Sequence, residues 1–106
     1  MRSLCLAVDA MGVSLPVTNP ADTIYAILLT AGVPKSIAVP TGARVALFSA
    51  TGHFWLRLGG AAMVPNQDIL DGSAPELNPV GRQVAGIADI GLAAASDCIV
   101  NIVFYG

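Results

Sequence analysis

Charge is scarce in this sequence. Only 11% of its 106 residues are Asp, Glu, Lys or Arg, against about 25% in an average soluble domain. The basic residues are Lys35 and the scattered Arg2, Arg44, Arg57 and Arg82, and the formal net charge is −2. Binding to nucleic acid without sequence preference needs clustered Lys and Arg to neutralise phosphates, so no nucleic-acid partner is expected. Histidine occurs once, at His53, and cysteine twice, at Cys5 and Cys98. Three nitrogen or sulfur ligands at unrelated spacings do not make a zinc site. No Gly-rich phosphate loop is present either, because Gly59-Gly60 reads as a strand-end turn. No metal or cofactor is expected. Long hydrophobic runs are also missing, although 55% of the residues are hydrophobic. A membrane-spanning helix needs about 20 mostly apolar positions. Here the runs are short, such as 24–29 and 102–105, and no membrane partner is expected. The amino-terminal run 4–8 stops at Asp9, short of the roughly 7–15 apolar residues of a secretory signal. It reads as mature sequence.

What remains is abundant apolar matter with little charge to solvate it. A chain of this composition hides part of its surface against other protein. Its length implies one domain, residues 1–106, with residues 1–20 available as an extended amino-terminal arm. A domain of this size buries about two thirds of the surface its unfolded chain exposes. An oxidising compartment would permit a Cys5–Cys98 bridge, but two small buried apolar residues is the preferred reading.

The punctuation is that of a β protein. Turn signals recur at Asn19-Pro20, Gly32-Val33-Pro34, Pro40-Thr41-Gly42, Thr51-Gly52, Gly59-Gly60, Asp71-Gly72, Asn78-Pro79 and Ser96-Asp97. Strands are expected near residues 4–8, 23–30, 36–39, 44–50, 53–58, 83–87, 90–93 and 98–105. Short strands at this spacing predict an all-β fold, a single β-sandwich or jelly-roll-like domain of antiparallel strands. Residues 44–58 read as a hairpin about Ala50-Thr51-Gly52, with Val45, Leu47, Phe54, Leu56 and Leu58 facing the core. Residues 20–31 are ambiguous. Asn19 and Pro20 suit a helix start, whereas Thr23, Ile24, Tyr25 and Ile27 suit a strand. The strand is preferred. In the last strand Cys98, Val100, Ile102 and Phe104 share one face. The other face holds Ile99, Val103 and Tyr105 around Asn101, so both faces ask for cover.

Three constellations bear on function. His53 has no nucleophile and orienting acid at a recognisable spacing, so no catalytic residue and no enzyme activity are expected. Trp55 shares a strand face with His53 and Arg57. Trp and Arg are enriched at protein–protein contacts; the pair also suits a sugar-binding shelf, or a Trp lying on the sheet under a stacked Arg57. Residues 65–82 form a stretch too long for a plain connection and too apolar for solvated chain. Within it Glu76, Leu77, Asn78, Pro79, Val80 and Arg82 are candidate contact residues, with Leu77 and Val80 as anchors and Glu76 or Arg82 pairing across the contact. Asn66, Asp68 and Asp71 lack a calcium-loop pattern and read as turn formers.

Several segments also carry a resemblance. They are Val39-Pro40-Thr41-Gly42-Ala43, the run from Phe48 through His53-Phe54-Trp55-Leu56-Arg57 to Gly60, Val64-Pro65, the run from Asp71 to Pro79, Ile90-Gly91-Leu92 and Asp97-Cys98-Ile99-Val100. Together they resemble small virion proteins encoded beside the major capsid protein in tailed bacteriophages. The resemblance spans residues 39–106, about two thirds of the chain; the first 38 residues lie outside it. It implies a mostly β structural protein, often trimeric, made in the host cytoplasm and placed on the capsid surface. Its partners would be the major capsid protein and further copies of itself, in a capsid decoration (cement) role. The alternatives are a fibre-base or tail component and a carbohydrate-binding sandwich acting through Trp55.

Overall fold

Turn residues and period-2 runs divide the computed structural model, which describes residues 1–106, into ten strands and no helix. These are β1 (Leu6–Val8), β2 (Ser14–Thr18), β3 (Thr23–Leu29), β4 (Lys35–Ala38), β5 (Val45–Ala50), β6 (Trp55–Leu58), β7 (Glu76–Leu77), β8 (Gly81–Gln83), β9 (Asp89–Ala93) and β10 (Cys98–Tyr105). Eight of them form two antiparallel sheets of order β3-β10-β5-β8 and β4-β9-β6-β7. Every connection from β3 onward crosses between the sheets, except the one joining β6 to β7. The fold is an all-β sandwich with jelly-roll strand order.

The core lies between the sheets. On β10 the alternation Cys98, Val100, Ile102, Phe104 is buried, as the sequence predicts. Ile27 and Leu29 of β3 and Ala46 and Phe48 of β5 join it from the same sheet. Leu56, Ile90 and Leu92 come from the other sheet, with Phe54 and Val84 closing the ends. Two aromatic pairs fix ring positions: Tyr25 meets Phe104 edge-on at 5.0 Å, and Phe48 lies 6.4 Å from Phe54. Within residues 20–31 the chain forms strand β3, Thr23–Leu29, and no helix.

Several expectations are corrected. Residues 44–58 are not a hairpin: β5 and β6 belong to opposite sheets. Thr51 prevents a tight turn by bonding across to β10, its amide donating to Ile99 O and its hydroxyl accepting from Ile99 N–H, both at 3.0 Å. The inward face of β5 is therefore Ala46 and Phe48, while Val45 and Leu47 lie half-buried on the outer face. Leu58 is half-buried and packs against the core as expected. The strand placed at 83–87 is instead Gly81–Gln83, because an Ile87 N–H to Val84 O bond and the positive φ of Gly86 bend the chain. Cys5 is exposed rather than buried, and both cysteines are free thiols. Strand β2 was not expected, since Ser14, Pro16 and Thr18 leave only Leu15 and Val17 as apolar signal.

Strands β1 and β2 form a separate two-stranded ribbon in which residues 1–18 are all exposed. The molecule is accordingly long, 51 × 26 × 25 Å, with a radius of gyration of 15.1 Å against about 13 Å for a compact chain of this size. Asp9 builds the tip: its carboxylate accepts from Met11 N–H and Val13 N–H at 2.9 Å, and Gly12 supplies the positive φ. The root is clamped to the body. Asn19 bonds Cys5 N–H and Ser3 O through its side chain, Tyr105 OH donates to Asn19 O at 2.6 Å, and Gly106 N–H donates to Arg2 O.

Asp22 completes the root, accepting from Arg2 N–H and the Thr23 hydroxyl at 3.2 Å, with the terminal ammonium 3.7 Å away. Desolvation pushes its carboxyl upward, but the ammonium, Thr23 and Arg2 outweigh this and hold it below the ordinary 3.8. A carboxylate depressed in the folded state contributes stability at pH values above 3.8. That contribution is lost as pH falls through the depressed value. The protection factors of the Arg2 and Gly106 amides, relative to unstructured chain at the same pH, are therefore expected to fall selectively below that pH in wild type, and Asp22→Asn should show the reduced protection at neutral pH.

Candidate functional site

Strand β6 sends Leu56 into the core and leaves Trp55 and Arg57 on the outer face of its sheet. Beside it runs β7, with Leu77 opposite Trp55 and Glu76 opposite Leu56. The chain then turns at Asn78, which has a φ of 48°. This side chain organises the end of the sandwich. Its Oδ1 accepts from Phe54 N–H at 2.9 Å, while its own N–H donates to Phe54 O at 3.0 Å. With Oδ1 so occupied, Nδ2 donates to His53 Nδ1 at 2.7 Å, which places the proton of a neutral imidazole on Nε2. Two residues on, Val80 O accepts from Phe48 N–H of the opposite sheet at 2.8 Å. Residues 78–80 thus staple the two sheets together.

Asn78→Ala removes the two side-chain bonds, to Phe54 N–H and to His53 Nδ1, and forces alanine into the left-handed region, where an L-residue with a Cβ costs roughly 1–2 kcal/mol. Lost hydrogen bonds add about 1 kcal/mol each. Denaturant unfolding should show a loss of about 3–4 kcal/mol, and Asn78→Gly, which relieves only the backbone strain, should recover part of it.

The predicted contact residues are placed as follows. Trp55 is half-buried between Ala93 and Leu77, its cross-strand neighbours. Leu77 is 51% and Val80 75% exposed, whereas Pro79 is buried and is not a surface residue. Glu76 and Arg82 do not stand free for a partner. Arg82 grips Glu76 through Nε and Nη2 at 3.0–3.1 Å, tying β7 to β8. Such exposed pairs contribute about 0–1 kcal/mol. Arg57 lies over the turn at Gly60 rather than stacking on Trp55: a Cβ on Gly60 would meet its Nε at 3.2 Å. His53, Trp55, Leu77, Asn78 and Val80 therefore form one end of the sandwich. Arg57 belongs to a different neighbourhood.

That neighbourhood is the loop following β6, which crosses the outer face of its own sheet. Gly91 is buried beneath Gly60, Ala61 and Ala62, and Ala62 and Ala93 are each 1% exposed. Farther along, the Ser73 hydroxyl and amide donate to the Asp71 carboxylate at 2.6 and 3.0 Å and hold it below its ordinary range, against desolvation and with help from Arg57. This is the turn former expected at Asp71. The stretch 65–82 is ordered, but it contains β7 and most of β8. No three His, Cys, Asp or Glu side chains converge as metal ligands. The Cys98 thiol is raised by burial and by Asp97, and lies 3.8 Å from His53 O.

Two exposed apolar surfaces lie outside the predicted contact residues, the second of them anticipated only through the apolar Ile99 and Val103 face of β10. One is the amino-terminal ribbon. The other is the outer face of the β3-β10-β5-β8 sheet, where Ile24, Leu28 and Ile99 are 55%, 67% and 44% exposed. The signal was available in β3, whose residues Ile24, Tyr25, Ile27, Leu28 and Leu29 are large and apolar on both parities. No family model, curated protein or solved structure matches the chain. No helix is long and apolar enough to cross a membrane.

Proposed function

We propose that this chain is a structural virion protein that self-associates and decorates an assembled bacteriophage capsid. The observation that carries the reading is large apolar surface left uncovered in two places: Ile24, Leu28 and Ile99 on one sheet face are 44–67% exposed, and Leu6, Val8, Met11, Val13, Leu15 and Val17 of the ribbon 39–87%. Surfaces of this kind mark protein contacts. The resemblance of residues 39–106 to small phage virion proteins supplies the partner, the major capsid protein, and the trimeric state. A jelly roll suits the role, being the architecture of many viral capsid domains as well as lectins; fold alone does not assign function. Trp55 sits among Ala93 and Leu77, an apolar setting that favours protein contact over a sugar shelf.

A cement protein works by linkage: it binds the closed lattice better than free subunits and shifts the equilibrium toward the shell. Several copies acting together add avidity. No group in this reading is catalytic. The test is co-sedimentation with intact particles at a fixed ratio to the capsid protein. Leu77→Ala with Trp55→Ala is expected to weaken particle binding at least tenfold while the far-UV spectrum stays native. Undiminished decoration by this variant would move the contact elsewhere. A saccharide-dependent change in Trp55 emission, with no particle binding, would favour the carbohydrate reading.

A further inference from the structure

The amino-terminal ribbon presents apolar side chains on both of its faces. Pairing of Leu6 with Thr18 and of Val8 with Ser14 places Leu6 and Val8 on one face, and Leu15 and Val17 on the other. Leu6, Val8, Met11, Val13, Leu15 and Val17 are 39–87% exposed. Divided between two faces, they leave each face of the ribbon an exposed apolar strip, and contiguous surface of that kind marks a contact. A two-stranded ribbon on its own is only marginally stable in water, so this one calls for cover. Its own body does not provide it, because every residue from 1 to 18 is exposed while the root is pinned by Asn19, Asp22 and Tyr105.

The same chain carries a matching surface. On the outer face of the β3-β10-β5-β8 sheet, strand register places Ile24 beside Val103 and Leu47 in one row, and Leu28 beside Ile99 in another. The open edge of this sheet is guarded, since Lys35 Nζ donates to Leu28 O at 3.2 Å, a common way of discouraging strand addition. The strands present no charged side chain on the face itself, and the row between the two apolar ones is Ala26, Asn101 and Ser49. Charge complements as well. Beyond the root, the only ionisable side chain of the ribbon apart from Cys5 is Asp9 at the tip, and Lys35 stands at the Leu28 end of the face.

We infer that the ribbon is an exchange arm that packs on the outer β3-β10-β5-β8 face of a second copy of this chain, its tip toward Lys35. The arm is already folded, so docking sacrifices little conformational entropy. Arm-to-face contact is heterologous and closes into a ring of copies or a reciprocal pair. The inference rests on the reading of the chain as self-associating and names the element that does it.

The test uses the full chain at micromolar concentration in sedimentation equilibrium. The native protein is expected as an oligomer. Leu6→Ser with Val17→Ser disables the arm, and Leu28→Ser with Ile99→Ser disables the face. Each variant alone should fall to the 10.8 kDa of a single chain. Mixed, they should restore a two-chain species, because each retains the half the other lost, and this complementation also shows that both are folded. A monomeric native chain overturns the inference together with self-association. An oligomer that survives either pair of substitutions overturns the arm while leaving self-association standing, as does a mixture that stays monomeric. Should a variant lose its native far-UV spectrum, a benzophenone maleimide at the tip of a full chain carrying Met11→Cys and Cys5→Ser decides, Met11 being 87% exposed and Cys98 buried. In a mixture of 14N- and 15N-labelled copies, crosslinks between copies at 24–28 or 99–103 support the arm. Crosslinks confined to one copy overturn it.

Discussion

Phe104→Ala is expected to cost about 3–5 kcal/mol, the range for truncating a buried aromatic. Phe104 is fully buried in β10, the strand paired on both sides by β3 and β5, and its ring meets Tyr25 edge-on at 5.0 Å. Truncation therefore removes apolar contact with both sheets and leaves Tyr25 without its aromatic partner. A domain of this length has only about 5–15 kcal/mol of stability in total, so the variant should be close to unfolding at ambient temperature. Urea titration should show a much lower midpoint at an unchanged slope. Phe104→Leu, which keeps most of the volume, should lose no more than about 1.5 kcal/mol. Equal losses in the two variants would mean that the site collapses freely around the smaller side chain, contrary to the packing between two sheets.

The strands were legible because alternation and turn residues are local properties. The two faces of β10 could be read from spacing alone, but both are apolar, and only the structure shows Cys98, Val100, Ile102 and Phe104 buried with Ile99 44% exposed. Connectivity was not legible, because alternation identifies the faces of a strand without naming its neighbour. On β5 both parities are apolar, Val45 and Leu47 against Ala46 and Phe48. The choice is made in three dimensions, by Phe54 approaching Phe48 from the opposite sheet. The candidate site was partly legible. Trp55, Leu77 and Val80 do share one end of the molecule, but Pro79 is buried and the Glu76 and Arg82 charges satisfy each other. The bond from Asn78 to His53 spans 25 residues and depends on a positive φ. No sequence pattern announces it. The arm was legible as a length of chain and not as a ribbon, since Pro16 and the flanking Ser14 and Thr18 weaken the strand signal of β2.

Gly91→Ala is expected to be the most disruptive single-methyl change in the chain. Glycine inside a strand marks either a bulge or a close backbone approach, and at Gly91 it is the second. A Cβ built there would strike the Gly60 carbonyl oxygen and stand 2.7 Å from Ala62 N and 3.0 Å from Ala61 C. All three are backbone atoms, so no rotamer relieves the clash. Either β9 shifts out of register with β4 and β6, or the loop lifts from the sheet and exposes Ala62 and Ala93. Overpacking of this kind costs about 1–3 kcal/mol and occasionally more, and a backbone obstruction belongs at the upper end. Each kcal/mol lowers the melting temperature by roughly 4–8 °C in a domain near this size, so a fall of about 12–24 °C is expected. Protease cleavage should appear within residues 60–75 before global unfolding. Gly60→Ala is the matched control: the nearest neighbours of its new methyl are Nε, Cδ and Cζ of Arg57 at 3.2–3.5 Å, and that chain can swing aside. The control should melt within a few degrees of wild type and keep the loop protected. If Gly91→Ala melts like Gly60→Ala, the loop does not rest on β9, and the outer face of that sheet beside Trp55 is open along its length.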